Sequence, residues 1–309
     1  MSHFSILVVG DVDHNMAPFH EYECDGINDE FIQDIDRTEE ARKEYEKRKN
    51  SEDFAGKSFL EFIQSWYGDR PVLKSESEIN TDTEEQQWGY TLLDKDGEVL
   101  KVIQRTNPNS FYDYYGTGYS AFLLKKRGAN GEWVHTDHAQ KKDIDFKTMF
   151  EERIRKAKEC YHMALSLLGY KDGKYPTLEH TWNSLVDKFH PDEGEPTMTR
   201  DEAVAIYDAQ ELVKKWGSAI DKKTIIDNFG LFSKVDDFCM SEDEYVASQH
   251  VHALSFGWVQ NREYHSRGDM GWWACVSNEK EATSWDKEYE DFLNSLPDDA
   301  ELTMLDCHV

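Results

Sequence analysis

Twelve histidines in 309 residues are the first place to look for chemistry. His14 and His20 lie in an acidic stretch with Glu21, Glu23 and Cys24, and His135 and His138 flank Asp137. His250 and His252 are two apart, so on a strand both side chains face one side of the sheet. Neutral imidazole beside carboxylate suits zinc or a harder divalent cation, which makes His14, His20, His250 and His252 the candidate metal ligands. None of them has the spacing of a known metal motif, and HExxH is absent. A chain with this many histidines produces such pairs by chance, and the plainer reading has neither metal nor cofactor.

Nucleophilic chemistry has less support. There is no GxSxG, and no cysteine sits in a Cys-His signature. Cys307 and His308 are adjacent, so on a strand they point to opposite faces; the expectation is Cys307 packed inward and His308 at the edge. Paired carboxylates carry no information among 62 acids. Phosphate loops are missing too, since Gly116-Thr117-Gly118 is too short for a dinucleotide fingerprint and reads as a turn. The aromatic run Phe111, Tyr112, Asp113, Tyr114, Tyr115 has the rings to stack bases but lacks the basic groove that accompanies such surfaces. Tyr112, Asp113, Tyr114, Tyr115, Trp272 and Trp273 are therefore the candidate protein-binding residues, with burial in a core as the alternative.

The charge narrows the partners. Asp and Glu number 62 against 35 Lys and Arg, a formal net of −27. From Glu21 to Asp53 the sequence shows 13 carboxylates and six basic side chains, and from Glu279 to Asp306 ten against two. Such a field repels nucleic acid and anionic membrane and favours basic surfaces. Aromatic residues make up 13% of the chain, so the acidity does not mark disorder. Five scattered cysteines without a CxxC pair fit reduced thiols in a cytoplasm. No window reads as a membrane span or a signal peptide.

The elements that must hold these residues form an α+β pattern. Ser2 to Val9 reads as a buried strand, Asp11 to Asp36 as an acidic loop, and Thr38 to Lys49 as a helix with Thr38 as N-cap. Lys57 to Trp66 carries an apolar helical stripe, and Lys74 to Gln87 is a polar loop. Trp88–Leu93 and Val99–Gln104 make a hairpin around Asp96-Gly97, and Tyr119–Lys125 with Glu132–Thr136 another. Helical periodicity then takes over at Met149–Leu168, Leu178–Phe189, Arg200–Trp216 and Lys222–Phe229, with Gly169 and Gly217 as helix ends. Strands return at Val251–Val259 and Gly271–Val276, followed by a helix over Glu279–Leu296 and a closing strand over Glu301–Val309. The expected organisation is a mainly antiparallel sheet domain from residues 1–145 and 250–309, with a helical insertion at 146–249.

Several landmarks resemble a family of phage and prophage proteins: Met1-Ser2-His3-Phe4 into Leu7-Val8-Val9-Gly10, and Met16-Ala17-Pro18-Phe19-His20-Glu21-Tyr22-Glu23-Cys24. Asn107-Pro108-Asn109, Tyr112-Asp113-Tyr114, Met270-Gly271-Trp272-Trp273, Leu296-Pro297-Asp298-Asp299 and Leu305-Asp306-Cys307-His308-Val309 agree with it. The resemblance covers both ends of the chain and not the helical middle. One departure stands out: the family pattern continues with Gly-Gly-Arg-Trp where this chain has Gly116-Thr117-Gly118-Tyr119, so an anion-binding loop is not carried over. Among phage proteins of this size and acidity, the chain is most similar to the anti-Gabija inhibitors. That resemblance implies a homo-oligomeric jacket around a bacterial nuclease–helicase defence complex, acting in the cytoplasm of the infected cell. It implies no cofactor and a large protein–protein interface, while the charge argues against direct contact with nucleic acid or membrane.

The leading expectation is thus a phage anti-defence inhibitor. The alternatives are a metal-dependent hydrolase using His14, His20, His250 or His252 on a small nucleotide signal, and a passive sponge for such a ligand, which needs a defined cavity.

Overall fold

An unbroken apolar run makes strand β1 (His3–Val9), in which Ile6, Leu7 and Val8 are fully buried. A strand buries successive residues this way only when both of its faces are covered. The computed structural model describes residues 3–26, 29–66, 68, 70–171, 173–191, 195–219, 233–271 and 275–309. β1 lies between β10 (Gly257–Gln260) and β14 (Glu301–His308), and the order of the sheet is β11-β10-β1-β14-β6, with β11 at Glu263–Ser266 and β6 at Tyr115–Gly116. β1 and β10 run parallel, Ile6 beside Gly257, whereas β10 pairs antiparallel with β11 and β14 with β6. Gly257 is required by the close approach of β11, since a Cβ there would stand 2.4 Å from the carbonyl oxygen of His265. The fold is α+β, with the N-terminal and C-terminal strands neighbours in one sheet.

The chain divides into two compact units, one of residues 1–118, 257–277 and 303–309, the other of residues 119–256 and 278–302. The first unit also holds the sheet β2-β5-β4-β3, made of β2 (Gln33–Asp36), β5 (Val99–Thr106), β4 (Gly89–Leu93) and β3 (Val72–Leu73). β4 and β5 are the expected hairpin, antiparallel with Thr91 beside Val102. The register shifts between Leu92 and Leu93, which oppose Lys101 and Val99, so one residue of β5 is extra there. That bulge turns Val99 and Val102, three positions apart, to the same side. There they join Ala41 of α2 (Thr38–Arg48) and Phe62 and Ile63 of α3 (Phe59–Trp66) in one cluster. Ile103 faces the other way, with Leu73, Tyr90 and Leu92.

Asp11–Asp36 is not the plain loop its composition suggests. It contains helix α1 (Val12–Met16), two 3-10 turns and β2. Asp11 starts α1 by accepting the backbone N–H of His14 at 2.7 Å. β2 carries little apolar side chain and owes its existence to four residue pairs with β5. Thr38 is not the N-cap either: Arg37 takes that place, and Thr38 is the first helical residue. Its hydroxyl accepts the Val102 N–H at 2.9 Å, tying α2 to β5, while Asp36 accepts the Thr38 N–H.

The second unit is mostly helical. Short strands β7 (Phe122–Leu123) and β8 (His135–Thr136) pair, β9 (His138–Gln140) follows, and then comes α4 (Phe146–Leu168). α4 buries Ala157, Tyr161, Ala164, Leu165 and Leu168, a single helical stripe, and ends on Gly169 in the left-handed region at φ +78. α5 (Trp182–Phe189) is followed by α6 (Arg200–Ala209) and α7 (Glu211–Ala219), which the sequence joined into one helix ending at Gly217. The break is at Gln210, whose backbone is extended and whose side-chain amide bonds both the N–H and the C=O of His180. Gly217 lies inside α7. α8 (Glu242–Ser248) and α9 (Ala282–Ser295) complete the unit. The stripe of α4 packs with Trp216, Val235, Phe238, Tyr245 and Val251.

Val251–Val259 is a strand only from Gly257 onward. The Arg153 guanidinium bonds the carbonyls of His250 and Ala253 at 2.9 Å each, so those acceptors serve a side chain and not a ladder. Gly271–Val276 is likewise no single strand: β12 (Asp269–Met270) pairs antiparallel with β13 (Val276–Ser277). The expected helix at 222–229, and Trp272 and Trp273, lie outside the described residues. Among the described residues no helix is long and apolar enough to cross a membrane.

Candidate functional site

The aromatic run and the first acidic stretch meet in the first unit. Asn107, almost fully buried, donates its amide to the carbonyls of Pro18 and His20, both at 2.9 Å. Phe111 N–H bonds Phe19 C=O at 2.9 Å, and Glu21 N–H bonds Tyr112 C=O at 2.7 Å. Phe111 packs against the rings of Phe19 and Tyr264, with centroids 5.1 and 4.1 Å away, and those two rings also touch each other, 5.9 Å apart. The turn that Asn107 begins therefore lays residues 111–115 beside residues 11–21.

The four candidates at 112–115 part company there. Tyr112 is a core residue, 3% exposed, with its hydroxyl donating to Met16 C=O. Tyr115 donates to the Asp13 carboxylate at 2.5 Å, and burial, followed by that carboxylate, pushes its phenol well above the ordinary range. Asp113 and Tyr114 are the outward pair. Tyr114 is 53% exposed and its ring stacks on His308, centroids 4.5 Å apart and planes 15° from parallel. The Asp113 carboxylate contacts His308 Nδ1 with both oxygens, at 2.7 and 2.8 Å.

His308 is not at an edge, contrary to expectation: it is 4% exposed. Asp113 N–H bonds its carbonyl and its own N–H bonds Tyr114 C=O, so backbone and ring are gripped together. The ring of His3 stands 5.0 Å away, edge on, with His3 Nδ1 3.1 Å from the Asp306 carboxylate. Two imidazoles, two carboxylates and one half-exposed tyrosine thus share a patch built by β1, β14 and the turn before β6.

A carboxylate holding Nδ1 of an imidazole is half of an acid–base dyad, which needs Nε2 to reach a reacting atom. Here His308 Nε2 is buried and unbonded. The neighbouring thiol, Cys307, is fully buried, and burial raises its pKa well above the usual range, so it stays a protonated, inert thiol. The pair holds Tyr114 in place. The surroundings are acidic: burial, then Glu23 and Asp113, raise the Glu21 carboxyl, with His20 opposing them.

The histidines singled out as metal candidates are dispersed. His14 is exposed on α1, and His20 bridges to Tyr112 with its ring at 5.4 Å. His250 and His252 do not share a strand face but sit in the turn after α8, where His250 adopts a left-handed φ of +48. Both approach Asp286 of α9: its Oδ2 accepts the His252 N–H at 3.1 Å, and its Oδ1 lies 3.8 Å from His250 Nδ1. Among the described residues no group of three or more His, Cys, Asp or Glu is arranged to hold a metal ion. Sequence reasoning passed over His3, Asp306 and His308 as site residues, although the motifs at both termini had drawn attention to them. No family model, curated protein or solved structure matches this chain.

Proposed function

We propose that this chain is a phage anti-defence inhibitor that docks on the basic, DNA-engaging surface of a bacterial nuclease–helicase complex of the Gabija kind and occludes it. The observation that carries the reading is Tyr114, a half-exposed ring clamped by His308 within a field of carboxylates that includes Asp13, Glu21, Glu23 and Asp113. Rigid aromatic anchors supply the tight part of an interface, and like-signed charge around them selects a partner of opposite sign. A net charge of −27 repels DNA itself and speeds encounter with a basic groove by about 10- to 1,000-fold at low salt. The sequence landmarks shared with phage proteins support the setting, and a homo-oligomeric jacket is part of the same proposal.

The test is a DNA-cleavage assay with purified nuclease–helicase complex, titrated with this protein and followed by sizing chromatography. Inhibition with co-elution, weakening as salt rises, is the expected result. Full cleavage at large molar excess without co-elution rejects the proposal.

A further inference from the structure

Five Lys and Arg side chains project from α4, and they do not share one fate. Lys147 pairs with Glu151, Arg155 with Glu159 and Lys158 with Glu242. Among the described residues no carboxylate forms an ion pair with Arg153 or Lys156, although acids outnumber bases 62 to 35 in the chain. These two unpaired cations line the same cavity of the second unit, one that docking through Tyr114 leaves without a role. Its volume is about 270 Å³, just below the roughly 300–1,000 Å³ of drug-sized pockets, so it suits a small group.

Arg153 is anchored through Nη2, which donates to the carbonyls of His250 and Ala253 at 2.9 Å each. Its Nε and Nη1 make no hydrogen bond among the described residues, and neither is sealed from solvent. A fixed cation with unused donors therefore lines the cavity. Burial lowers the pKa of Arg153, and Asp286 and Tyr289 only partly offset that, so the charge lacks a close counter-ion. Met149, Glu152, Arg153 and Lys156 stand at i, i+3, i+4 and i+7, one face of α4. Leu123 of β7, Leu254 and Met149 give the cavity apolar walls.

The lining selects among ligands by charge. A metal ion or an amine is repelled by the two cations. Set against Glu152, they leave one positive charge in excess, which matches a monoanion and falls short of a dianionic phosphate. A neutral hydrocarbon leaves the spare N–H groups unmatched. We infer that the cavity binds a carboxylate carried on a short apolar stem. The carboxylate accepts from the spare N–H groups of Arg153 and from Lys156 Nζ, and the stem packs on Leu123, Met149 and Leu254. A free short-chain carboxylate and the C-terminal carboxylate of a docking peptide share this chemistry.

Ligand-observed NMR titration of the full-length protein with hexanoate, hexanol, hexyl phosphate and acetyl-Gly-Leu, whose C-terminus is free, tests it. Saturable binding of hexanoate or acetyl-Gly-Leu is expected. Arg153→Lys keeps a cation for the two carbonyls but removes the spare N–H groups, and should weaken binding at least roughly tenfold. Lys156→Glu, at an exposed position, should weaken it at least roughly threefold, and Ala121→Phe, which fills the space, should abolish it. Preference for hexanoate assigns the site to a free carboxylate, and preference for acetyl-Gly-Leu to a peptide terminus. If Arg153→Lys does not fold, the other two variants decide. Hexanol or hexyl phosphate binding as tightly as the carboxylates, binding unchanged in any folded variant, or no saturable binding to wild type overturns the assignment. None of these outcomes depends on nuclease inhibition, so this inference and the docking proposal fail separately.

Discussion

Replacing Asp113 by alanine strips His308 of the partner for Nδ1 and leaves a buried donor unmatched, because that side chain is only 6% exposed. Abandoning such a donor costs about 1–3 kcal/mol. Asp113 also accepts the Tyr114 N–H at 2.7 Å, a more exposed bond whose loss adds about 0.5–1 kcal/mol. The two contributions separate in a double-mutant cycle. His308→Phe keeps a flat ring against Tyr114 but has no nitrogen, so in that background Asp113→Ala costs only the second contribution. The expected coupling is therefore about 1–3 kcal/mol. Amide hydrogen exchange of the segment 303–309 reads it out as a change in local opening free energy, with the urea midpoint as the companion measurement. A coupling below about 0.3 kcal/mol means that the pair does not grip β14, and the account of how Tyr114 is held then fails.

Tyr114→Ala should leave the circular dichroism spectrum and urea midpoint unchanged, since the ring is half exposed, yet weaken partner binding by about 2 kcal/mol or more as an interface anchor. Glu21 has a raised pKa in the fold, so above the unfolded carboxyl value of about 4.3 the native state holds protons the unfolded state has released. Stability is lost as pH rises through the raised value, and Glu21→Gln should remove that part of the urea-midpoint profile; an unchanged profile counts against the desolvation of Glu21 and its crowding by Glu23 and Asp113. Gly257→Ala drives a methyl against the His265 carbonyl and should destabilise by about 1–3 kcal/mol in urea unfolding, with the β10–β11 amides exchanging first. Under native conditions iodoacetamide should label the exposed Cys275 and spare Cys307 until urea is added, read by mass spectrometry of the peptides.

What was legible in the sequence is what depends on neighbours along the chain. The run Ile6–Val9 announced β1, and Asp-Gly between two β-rich runs announced β4 and β5. The stripe on α4 and its terminal glycine announced that helix. What misled depends on partners far away. β2 has a polar sequence and is a strand only because β5 supplies its ladder. Gln210 interrupts a helical pattern because His180, thirty residues earlier, offers two backbone groups to its amide. His308 was read as an edge residue because its partner Asp113 is 195 positions away. The alternation rule sent Cys307 and His308 to opposite faces but did not reveal that the face of His308 is also covered. Tyr112–Tyr115 was legible as a cluster; its division into buried and outward rings was not.

The position of β14 bears on how the protein is made. It is an interior strand, hydrogen-bonded to β1 on one side and β6 on the other, yet nearly the entire chain separates it from β1. During synthesis β1 therefore waits with both edges unpaired until β10 emerges, and with one edge still open until residues beyond 300 have left the ribosome. The sheet closes late and over a very long loop, a route that is slow and exposes sticky surface meanwhile. The abundant carboxylates take on a second role in that interval, as mutual repulsion between nascent chains that limits their aggregation while the sheet is still open.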